Sequence, residues 1–345
     1  MANIGNMYGP DFTFLGIPRC DLENPASFAG ADVVIVGAPI DSGTSHRSGA
    51  KFGPQAIRGG DYLPHDAERP HLSMRVDSLK ELKIFDAGDL LMPPGDLVSS
   101  LKVLEAATEK ISRAGAIAVV LGGDHSVASA DVLGIAKHRG MGKIVLGIAK
   151  HRGMGKISMV HFDAHADTGD LQFGALVGHG TPMRRLIDSG AVRGDRFLQL
   201  GLRGYWPDNE TLLWMRDQGM RSYEMTEIHH RGMKAVLDES FSTLTDGCDG
   251  VFLSVDIDVV DPGMAPGTGT PEPGGMTSRE LLEAVRRICF ELPVVGIDVV
   301  EVCPAFDSAD ITAILANRVV LEALSAITLK KKGGSYSPTR NLLDR

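Results

Sequence analysis

The sequence has 345 residues, of which 43% are hydrophobic and 23% charged, proportions typical of a globular protein with a sizeable core. The formal net charge of -9 argues against nucleic acid as a partner and mildly favours a cationic ligand, because an acidic protein attracts cations over long range. The four cysteines form no CxxC pair, so neither a zinc knuckle nor a disulfide framework is indicated.

The amino terminus and the apolar runs bear on where the protein resides. The first residues lack a basic segment followed by an apolar one, and no apolar run approaches the roughly 20 residues of a membrane helix. We therefore expect a cytoplasmic protein that contacts neither membrane nor nucleic acid.

Apolar, strand-like segments alternate with helical ones through most of the chain. Strands are predicted at 32–37, 82–85, 117–121, 157–160, 197–204, 251–258 and 294–302. Helices are predicted at about 97–113, 208–218, 277–290 and 308–326, with shorter helices opening at Gly53, running through Val132 and ending near Ile187. Such alternation predicts a parallel sheet covered by helices on both faces.

One domain accounts for most of this length, and we expect it to span residues 31–328. Residues 1–30 are rich in glycine and proline and are expected to form an irregular arm on the surface or on a neighbouring subunit. Residues 329–345 are expected to form a basic, mobile tail.

A 13-residue segment occurs twice in direct succession, at 132–144 and again at 145–157. Neither copy is long enough to be the packing unit of a repeat protein, so the repeat looks like a recent in-frame duplication. One copy is enough to end a helix, form a turn and begin the strand before Asp163. The other copy is expected to form an extended helix or a surface loop at the amino ends of the strands.

Three potential metal ligands, Asp163, His165 and Asp167, lie two residues apart just beyond the apolar segment 157–160. Side chains alternate along a strand, so these three would leave its carboxyl end on one side. Ionisable groups gathered out of water are very costly unless a cation neutralises them. The spacing therefore predicts a metal site.

Further polar residues follow other predicted strands: His125 ends one, and Asp256 and Asp258 end another. With the first three ligands they make four carboxylates and two imidazoles, more than one divalent ion needs, so two ions are predicted. The oxygen-rich, sulfur-free set favours manganese (Mn2+), with nickel (Ni2+) or cobalt (Co2+) as alternatives. Two neighbouring ions would share a water and lower its pKa toward neutrality.

Four motifs are similar to those of the ureohydrolase (arginase/agmatinase) family. They are GGDHS at 122–126, DAHAD at 163–167, SVDID at 254–258 and DVVE at 298–301. The loops 178–182 and 265–271 resemble the agmatinase-like and guanidino-acid hydrolase branch more than true arginases. The resemblance covers about residues 30–326 and implies an arginase-like α/β fold, a three-layer α/β/α sandwich with a mainly parallel sheet.

The resemblance also implies a ligand set, an assembly and a reaction. One ion would be held by His125, Asp163, Asp167 and Asp256. The other would be held by Asp163, His165, Asp256 and Asp258. Members of the family are commonly manganese enzymes that form homotrimers or homohexamers and hydrolyse a guanidinium group to urea and an amine.

Catalytic roles can be assigned from the chemistry at three positions. Glu301, at a strand exit, is expected to pair with the planar guanidinium through charge-assisted hydrogen bonds, with a buried salt bridge as the structural alternative. His179, in a loop, is expected to carry a proton to the leaving amine, since its pKa lies near neutrality, or else to bond the backbone. Asp167 is expected to accept a hydrogen bond from the nucleophile while binding metal.

Residues for the rest of the substrate are less specific. Arg203 is expected to bind a substrate carboxylate or to tie loops together. Tyr205, Trp206 and Phe173 are expected to line a small pocket that the first two would narrow, unless the tryptophan serves packing alone. His161 is interpreted as a buried histidine that supports the ligands, and the pair 229–230 as surface histidines.

The leading hypothesis is an enzyme that releases urea from a small cationic guanidino compound. Agmatine is the first candidate, followed by guanidinobutyrate, guanidinopropionate and free guanidine. A deacetylase-like hydrolase would need an adjacent His-His base near the metal, which this sequence does not place there. A non-catalytic relative would have lost a ligand or Glu301, and none is lost.

Overall fold

A computed structural model describes residues 12–61, 69–139 and 155–337. The strands in these ranges are β1 (Val33–Ala38), β2 (Ile84–Asp89), β3 (Ile117–Gly122), β4 (Ile157–Phe162), β5 (Val192–Leu202), β6 (Arg221–Glu224), β7 (Gly250–Asp256) and β8 (Val294–Val300). The helices there are α1 (Gly53–Gly59), α2 (Ser78–Glu81), α3 (Leu97–Arg113), α4 (Ala128–Arg139), α5 (Pro182–Ser189), α6 (Asn209–Asp217), α7 (Met225–Arg231), α8 (Met233–Thr245), α9 (Ser278–Glu291) and α10 (Ile311–Lys331). The strands form one sheet in the order β2-β1-β3-β8-β7-β4-β5-β6, and every neighbouring pair is parallel.

Two apolar layers, one on each face of the sheet, hold the sandwich together. Because successive strand side chains point to opposite faces, Val33 and Ile35 of β1 enter one layer, and Val34 and Val36 enter the other. Helices α1 and α7 to α10 cover the first face, and α3 to α5 cover the second. The expected parallel sheet between two helical layers is therefore confirmed.

Helix α10 corrects one expectation from the sequence. It has 21 residues, and an 18-residue stretch of it has a mean hydropathy of 1.5, which meets the length and composition of a membrane-spanning helix although no such run was expected. However, 67% of this apolar stretch is buried inside the protein, where the helix packs against α9 and α1. A helix that is apolar on most sides is suited to such a buried position.

The described part of the N-terminal arm packs on this chain's own domain. Phe14, Leu15 and Phe28 are each at most 2% exposed, and the Phe14 N–H donates a 2.8 Å hydrogen bond to Asp86 on β2. Residues 12–30 therefore form part of this chain's own surface and core, and the expected boundary of the domain at residue 31 stays a prediction.

The duplicated segment falls mostly outside the described residues. Helix α4 runs into the first copy as far as Arg139, and β4 begins at Ile157, the last residue of the second copy. The expectation of an extended helix or a surface loop concerns residues 140–154, which lie outside the described ranges. Of the second copy, Ile157 is thus the residue at the amino end of β4.

Most predicted elements are present, with differences at the edge of the sheet. Strand β6 was not predicted, since its sequence RSYE has a single large apolar side chain, Tyr223, and a short edge strand carries little hydrophobic pattern. Strand β5 starts at Val192 rather than 197, and α10 continues to Lys331, into the expected tail.

Candidate metal centre and active site

Four adjacent strands in the middle of the sheet, β3, β8, β7 and β4, end in the polar motifs. His125 opens a short 3-10 turn after β3, Asp163 follows β4, Asp256 ends β7 and Glu301 follows β8. Ligands of open parallel sheets bind beyond the carboxyl ends of the strands. The carboxyl ends of these strands thus bring together residues that are far apart in the chain.

The first cluster centres on His125, which is fully buried. Its Nδ1 atom lies 3.0 Å from a carboxylate oxygen of Asp163, 3.0 Å from one of Asp167 and 3.1 Å from one of Asp256. None of these contacts has hydrogen-bond geometry, so Nδ1 has no hydrogen-bond partner among the described residues. A buried nitrogen facing three carboxylate oxygens is an arrangement that a divalent cation satisfies.

The second cluster shares Asp163 with the first. Nδ1 of His165 lies 3.5 Å from Oδ1 of Asp163 and 3.1 Å from Oδ2 of Asp258, and the possible ligand atoms of this trio lie within 4.8 Å of one another. The structure thus brings together all six predicted metal ligands, His125, Asp163, His165, Asp167, Asp256 and Asp258.

Hydrogen bonding by Ser254 determines the tautomer of His125. It therefore determines which ring nitrogen is unprotonated and faces the carboxylates. Ser254 Oγ donates to Asp298 Oδ1 at 2.7 Å, so it accepts the Nε2 proton of His125, 2.9 Å away. A neutral imidazole with its proton on Nε2 presents Nδ1 as the metal-binding atom. Ser254 and Asp298 belong to predicted motifs, but this role was not predicted.

Both ring nitrogens of His161 are used in hydrogen bonds. The side-chain amide of Gln199 donates to the Ala166 carbonyl at 2.7 Å and to Nδ1 of His161 at 3.2 Å, while its oxygen accepts from Ser222 at 2.8 Å. Nε2 of His161 then donates to Oδ2 of Asp163 at 2.8 Å. His161 therefore orients Asp163, in agreement with its interpretation as a supporting histidine.

The carboxylates are buried close together, so their negative charges repel one another. Burial, Asp258 and Asp163 together raise the pKa of Asp256 well above its usual range. Burial opposes a charge on His125, yet the carboxylates of Asp163 and Asp167 raise its pKa well above the usual value. Both shifts describe a cluster that demands positive charge at its centre, which fits a metal pair.

Two site residues have left-handed backbone conformations that are uncommon for residues other than glycine. Asp167 has φ 52° and Glu301 has φ 63°. Each such residue costs about 1 kcal/mol or more and persists only where its surroundings fix it, as they do at binding sites. Nearby, Gly201 has φ 117°, and a Cβ there would lie 2.8 Å from the carbonyl oxygen of Asp163.

His179 and Glu301 are hydrogen-bonded to each other. Nδ1 of His179 lies 2.9 Å from Oε1 of Glu301, which also accepts the backbone N–H of His125 at 2.9 Å. On the other side of the ring, Nε2 of the neutral imidazole accepts the Ser45 backbone N–H at 3.0 Å, so in that form Nδ1 carries the proton given to Glu301. Burial disfavours a charged ring, but the Glu301 carboxylate raises the pKa of His179 to about 9.

A cavity of about 400 Å³ opens beside the clusters, a size suited to a small molecule. Three of the predicted ligands and one catalytic candidate line it, namely His165, Asp167, Asp256 and His179. Loop residues complete the lining, among them Ser45, Leu171, Gln172, Phe173, Trp206 and Thr270. The clusters are therefore accessible to a ligand.

Two of the residues considered for substrate contact, Arg203 and Tyr205, lie outside the cavity lining. Arg203 lies outside the cavity lining, and its guanidinium donates to the backbone carbonyls of Asp258 and Glu272 at 2.7 Å and 2.6 Å. It ties loops together, which was the alternative. Tyr205 is fully exposed and also lies outside the lining, whereas Trp206 lines the cavity.

Glu301 lies behind His179 and is not part of the lining, being 1% exposed. Its contact with a guanidinium therefore stays a prediction.

The sequence analysis missed Gln172, whose amide donates to the Gly43 carbonyl at 3.0 Å and accepts from the Gly180 N–H at 2.7 Å. It joins the two loops that border the cavity, and a lone loop glutamine has no distinctive spacing that would reveal this.

Comparisons with known proteins agree with this geometry. The model of the Arginase family matches residues 31–326. The chain is 37% identical over 323 residues to proclavaminate amidinohydrolase of Streptomyces clavuligerus, covering 94% of this chain and 95% of that protein. It is 33% identical over 321 residues to guanidinobutyrase of Pseudomonas aeruginosa, covering 93% of each. It is 36% identical over 303 residues to mitochondrial agmatinase of Gallus gallus, covering 87% of this chain and 82% of that protein.

The fold is shared as well. A solved structure of proclavaminate amidinohydrolase from Streptomyces clavuligerus matches with a TM-score of 0.80 at 34% identity, covering 94% of this chain and 100% of that one. The region matched by the family includes all six metal-ligand candidates together with His179 and Glu301. The chain therefore belongs to the arginase family and is a ureohydrolase.

Proposed function

We propose that this protein hydrolyses the guanidinium group of a small cationic compound to urea and an amine, with agmatine as the first candidate substrate. The observation that carries the proposal is the pair of His/Asp clusters joined by Asp163 and open to a cavity of about 400 Å³. Guanidinobutyrate, guanidinopropionate and free guanidine are the alternatives, since relatives named agmatinase and guanidinobutyrase have comparable identities of 36% and 33%.

Two divalent ions fit the donor set. His125, Asp163, Asp167 and Asp256 would hold one ion. Asp163, His165, Asp256 and Asp258 would hold the other. The oxygen-rich, sulfur-free donors favour Mn2+ over Ni2+ or Co2+. When bound, the pair would lower the pKa of a shared water and so provide the strong nucleophile that a resonance-stabilised guanidinium carbon requires.

The chain's own residues orient the substrate. Oε1 of Glu301 is held by His125 and His179, which leaves Oε2, buried and without a partner among the described residues, to accept a guanidinium N–H. Burial raises the pKa of Glu301, but His179 and the His125 N–H outweigh it and hold this pKa below the usual range. The carboxylate is thus ionised for a cationic partner.

One water suffices to balance the reaction. Its oxygen forms a bond to the guanidinium carbon, the bond from that carbon to the substrate's amine nitrogen breaks, and both water protons end on that nitrogen. Urea and an ammonium ion leave. His179 is placed to carry a proton, because it lines the cavity and its raised pKa keeps a protonated ring available at neutral pH.

Urea release from agmatine, guanidinobutyrate, guanidinopropionate and guanidine, each with Mn2+, Ni2+ or Co2+, tests the proposal. We expect urea from at least one compound and its loss after chelation. Absence of urea with every compound and every metal would reject the proposal.

A deacetylase-like reaction is disfavoured by a specific observation. His229 and His230 are exposed on α7 and do not line the cavity, so the His-His base of that chemistry is missing there. On the family resemblance we also propose a homotrimer or homohexamer, which light scattering of the purified protein would test.

A further inference from the structure

The part of the cavity away from the metal-ligand candidates is uncharged. Leu171, Phe173 and Trp206 give it an apolar and aromatic wall. Among the described residues that line the cavity there is no lysine, arginine or glutamate, and the aspartates are the ligand candidates Asp167 and Asp256. Within this described lining, the far end of a substrate therefore meets no fixed charge of either sign.

The polar groups of the lining are already engaged. Gln172 is bonded to two loop backbones, Ser45 Oγ lies 2.6 Å from Nε2 of His179, and Thr270 Oγ1 donates to Asp258 at 3.3 Å. They hold the site together and leave few donors for a substrate carboxylate.

Two arginines on neighbouring loops are directed elsewhere. Arg203 bonds backbone carbonyls, as described above. Arg47 donates to the carbonyls of Thr268 and Gly269 at 2.9 Å and 3.2 Å, and its guanidinium lies 4.4 Å from the centre of the Phe306 ring. A carboxylate entering the cavity would thus not find either of these cations.

We propose that Trp206, assisted by Phe173, selects substrates by the end opposite the guanidinium, accepting an uncharged or cationic chain and rejecting a carboxylate. This inference rests on the proposed guanidino hydrolysis. Phe173 is 90% exposed and Trp206 41% exposed, so a substrate chain has aromatic surface to cover. An aromatic face packs against methylene groups and attracts an ammonium, but it offers nothing to a carboxylate.

Three compounds with the same four-carbon chain test the selection: butylguanidine, agmatine and 4-guanidinobutyrate. We expect kcat/KM for urea release from the first two to exceed that for the third by at least about tenfold, since the carboxylate loses its water without gaining a partner. A kcat/KM for 4-guanidinobutyrate equal to or above that of butylguanidine overturns the inference.

The role of Trp206 is tested by the ratio of kcat/KM values for two substrates. A general loss of folded enzyme lowers both values and leaves their ratio unchanged. Trp206→Ala should lower the ratio of kcat/KM for butylguanidine to that for guanidine by about tenfold, because guanidine has no chain to bury. Trp206→Phe should retain most of the ratio. Leu213→Ala removes a half-exposed apolar side chain on α6 outside the lining and should change the ratio by less than about twofold. If Trp206→Ala and Leu213→Ala change this ratio equally, Trp206 does not determine the selectivity.

Fluorescence separates failure of this inference from failure of the proposed function. The chain has two tryptophans, so Trp214→Phe leaves Trp206 as the reporter. Butylguanidine should quench it at lower concentration than 4-guanidinobutyrate. If no compound releases urea but this order holds, the proposed reaction fails and the selectivity stands; the reverse order overturns the selectivity whatever the activity.

Discussion

At the scale of single residues, the site depends on how each ligand is fixed by a neighbour. Asp163 accepts hydrogen bonds from the His161 ring and from the His165 backbone N–H, while Ser254 fixes the ring of His125. Such supporting bonds commonly change metal affinity by one or two orders of magnitude when removed. These hydrogen bonds therefore fix the orientation of the side chains that would bind metal.

Replacing Asp256 by asparagine should stabilise the ion-free protein and remove its response to metal. A buried carboxyl whose pKa is raised on folding costs stability at neutral pH, because folding disfavours its charge. Wild type should gain about 2.7 kcal/mol at a free metal concentration 100 times Kd, and Asp256→Asn should gain almost none. Thermal melts with Mn2+ and with chelator measure both effects. Glu283→Gln, an exposed change of the same charge, should behave as wild type.

Replacing His179 by glutamine should lower kcat for urea release by about 100-fold or more with a small change in KM, since a positioned proton carrier contributes on that order. The exposed His230→Gln is the control, with the same chemical change outside the cavity lining. A His179→Gln enzyme with wild-type kcat would remove His179 from the mechanism.

At the scale of elements, three neighbouring strands together position one metal-binding residue, Asp163. Ser222 on β6, Gln199 on β5 and His161 on β4 form a hydrogen-bonded line that ends at Asp163. The edge strand that the sequence analysis missed is thus the outer support of the metal centre. No single strand contains enough of this line to reveal it.

Gln199→Leu should break the line where it is fully buried. The Ala166 carbonyl and the Nδ1 atom of His161 would lose their donor, which costs about 1–3 kcal/mol in the free energy of unfolding. Metal affinity should fall by about tenfold or more. Urea denaturation and metal titration followed by melting temperature measure the two effects. Ser222→Ala, which removes only the hydrogen bond from Ser222 to Gln199, should lower stability and metal affinity less. Equal metal affinities for wild type, Gln199→Leu and Ser222→Ala would contradict the role of this hydrogen-bonded line.

At the scale of the whole molecule, the sheet places the chemistry at the carboxyl ends of its strands, and Ile157, the last residue of the duplicated segment, begins β4 at the opposite end. The metal-ligand candidates follow the carboxyl ends of β3, β4 and β7, whereas α4 meets β4 at an amino end. A change in that connection is separated from the site by the length of a strand.

Deleting residues 145–157 should leave folding and urea release intact. The remaining copy joins Arg139 of α4 to the start of β4 through Gly-Met-Gly-Lys, a normal length for such a connection. We expect equal kcat/KM and a melting temperature at least as high as that of the full chain. Loss of soluble protein on deletion would show that both copies take part in the fold.

The sequence by itself determined the alternating elements, the parallel sheet and the metal-ligand motifs. Strands buried on both faces are continuous apolar runs, and ligands such as Asp163 and Asp167 are set by local spacing, so both are visible in one dimension. The tertiary structure decided which neighbours each side chain meets. Only it shows that Arg203 bonds loop carbonyls, that Trp206 rather than Tyr205 lines the cavity, and that Glu301 lies behind His179. These contacts join loops that are distant in the chain, and their geometry is fixed by strand order and loop packing, which no local pattern encodes.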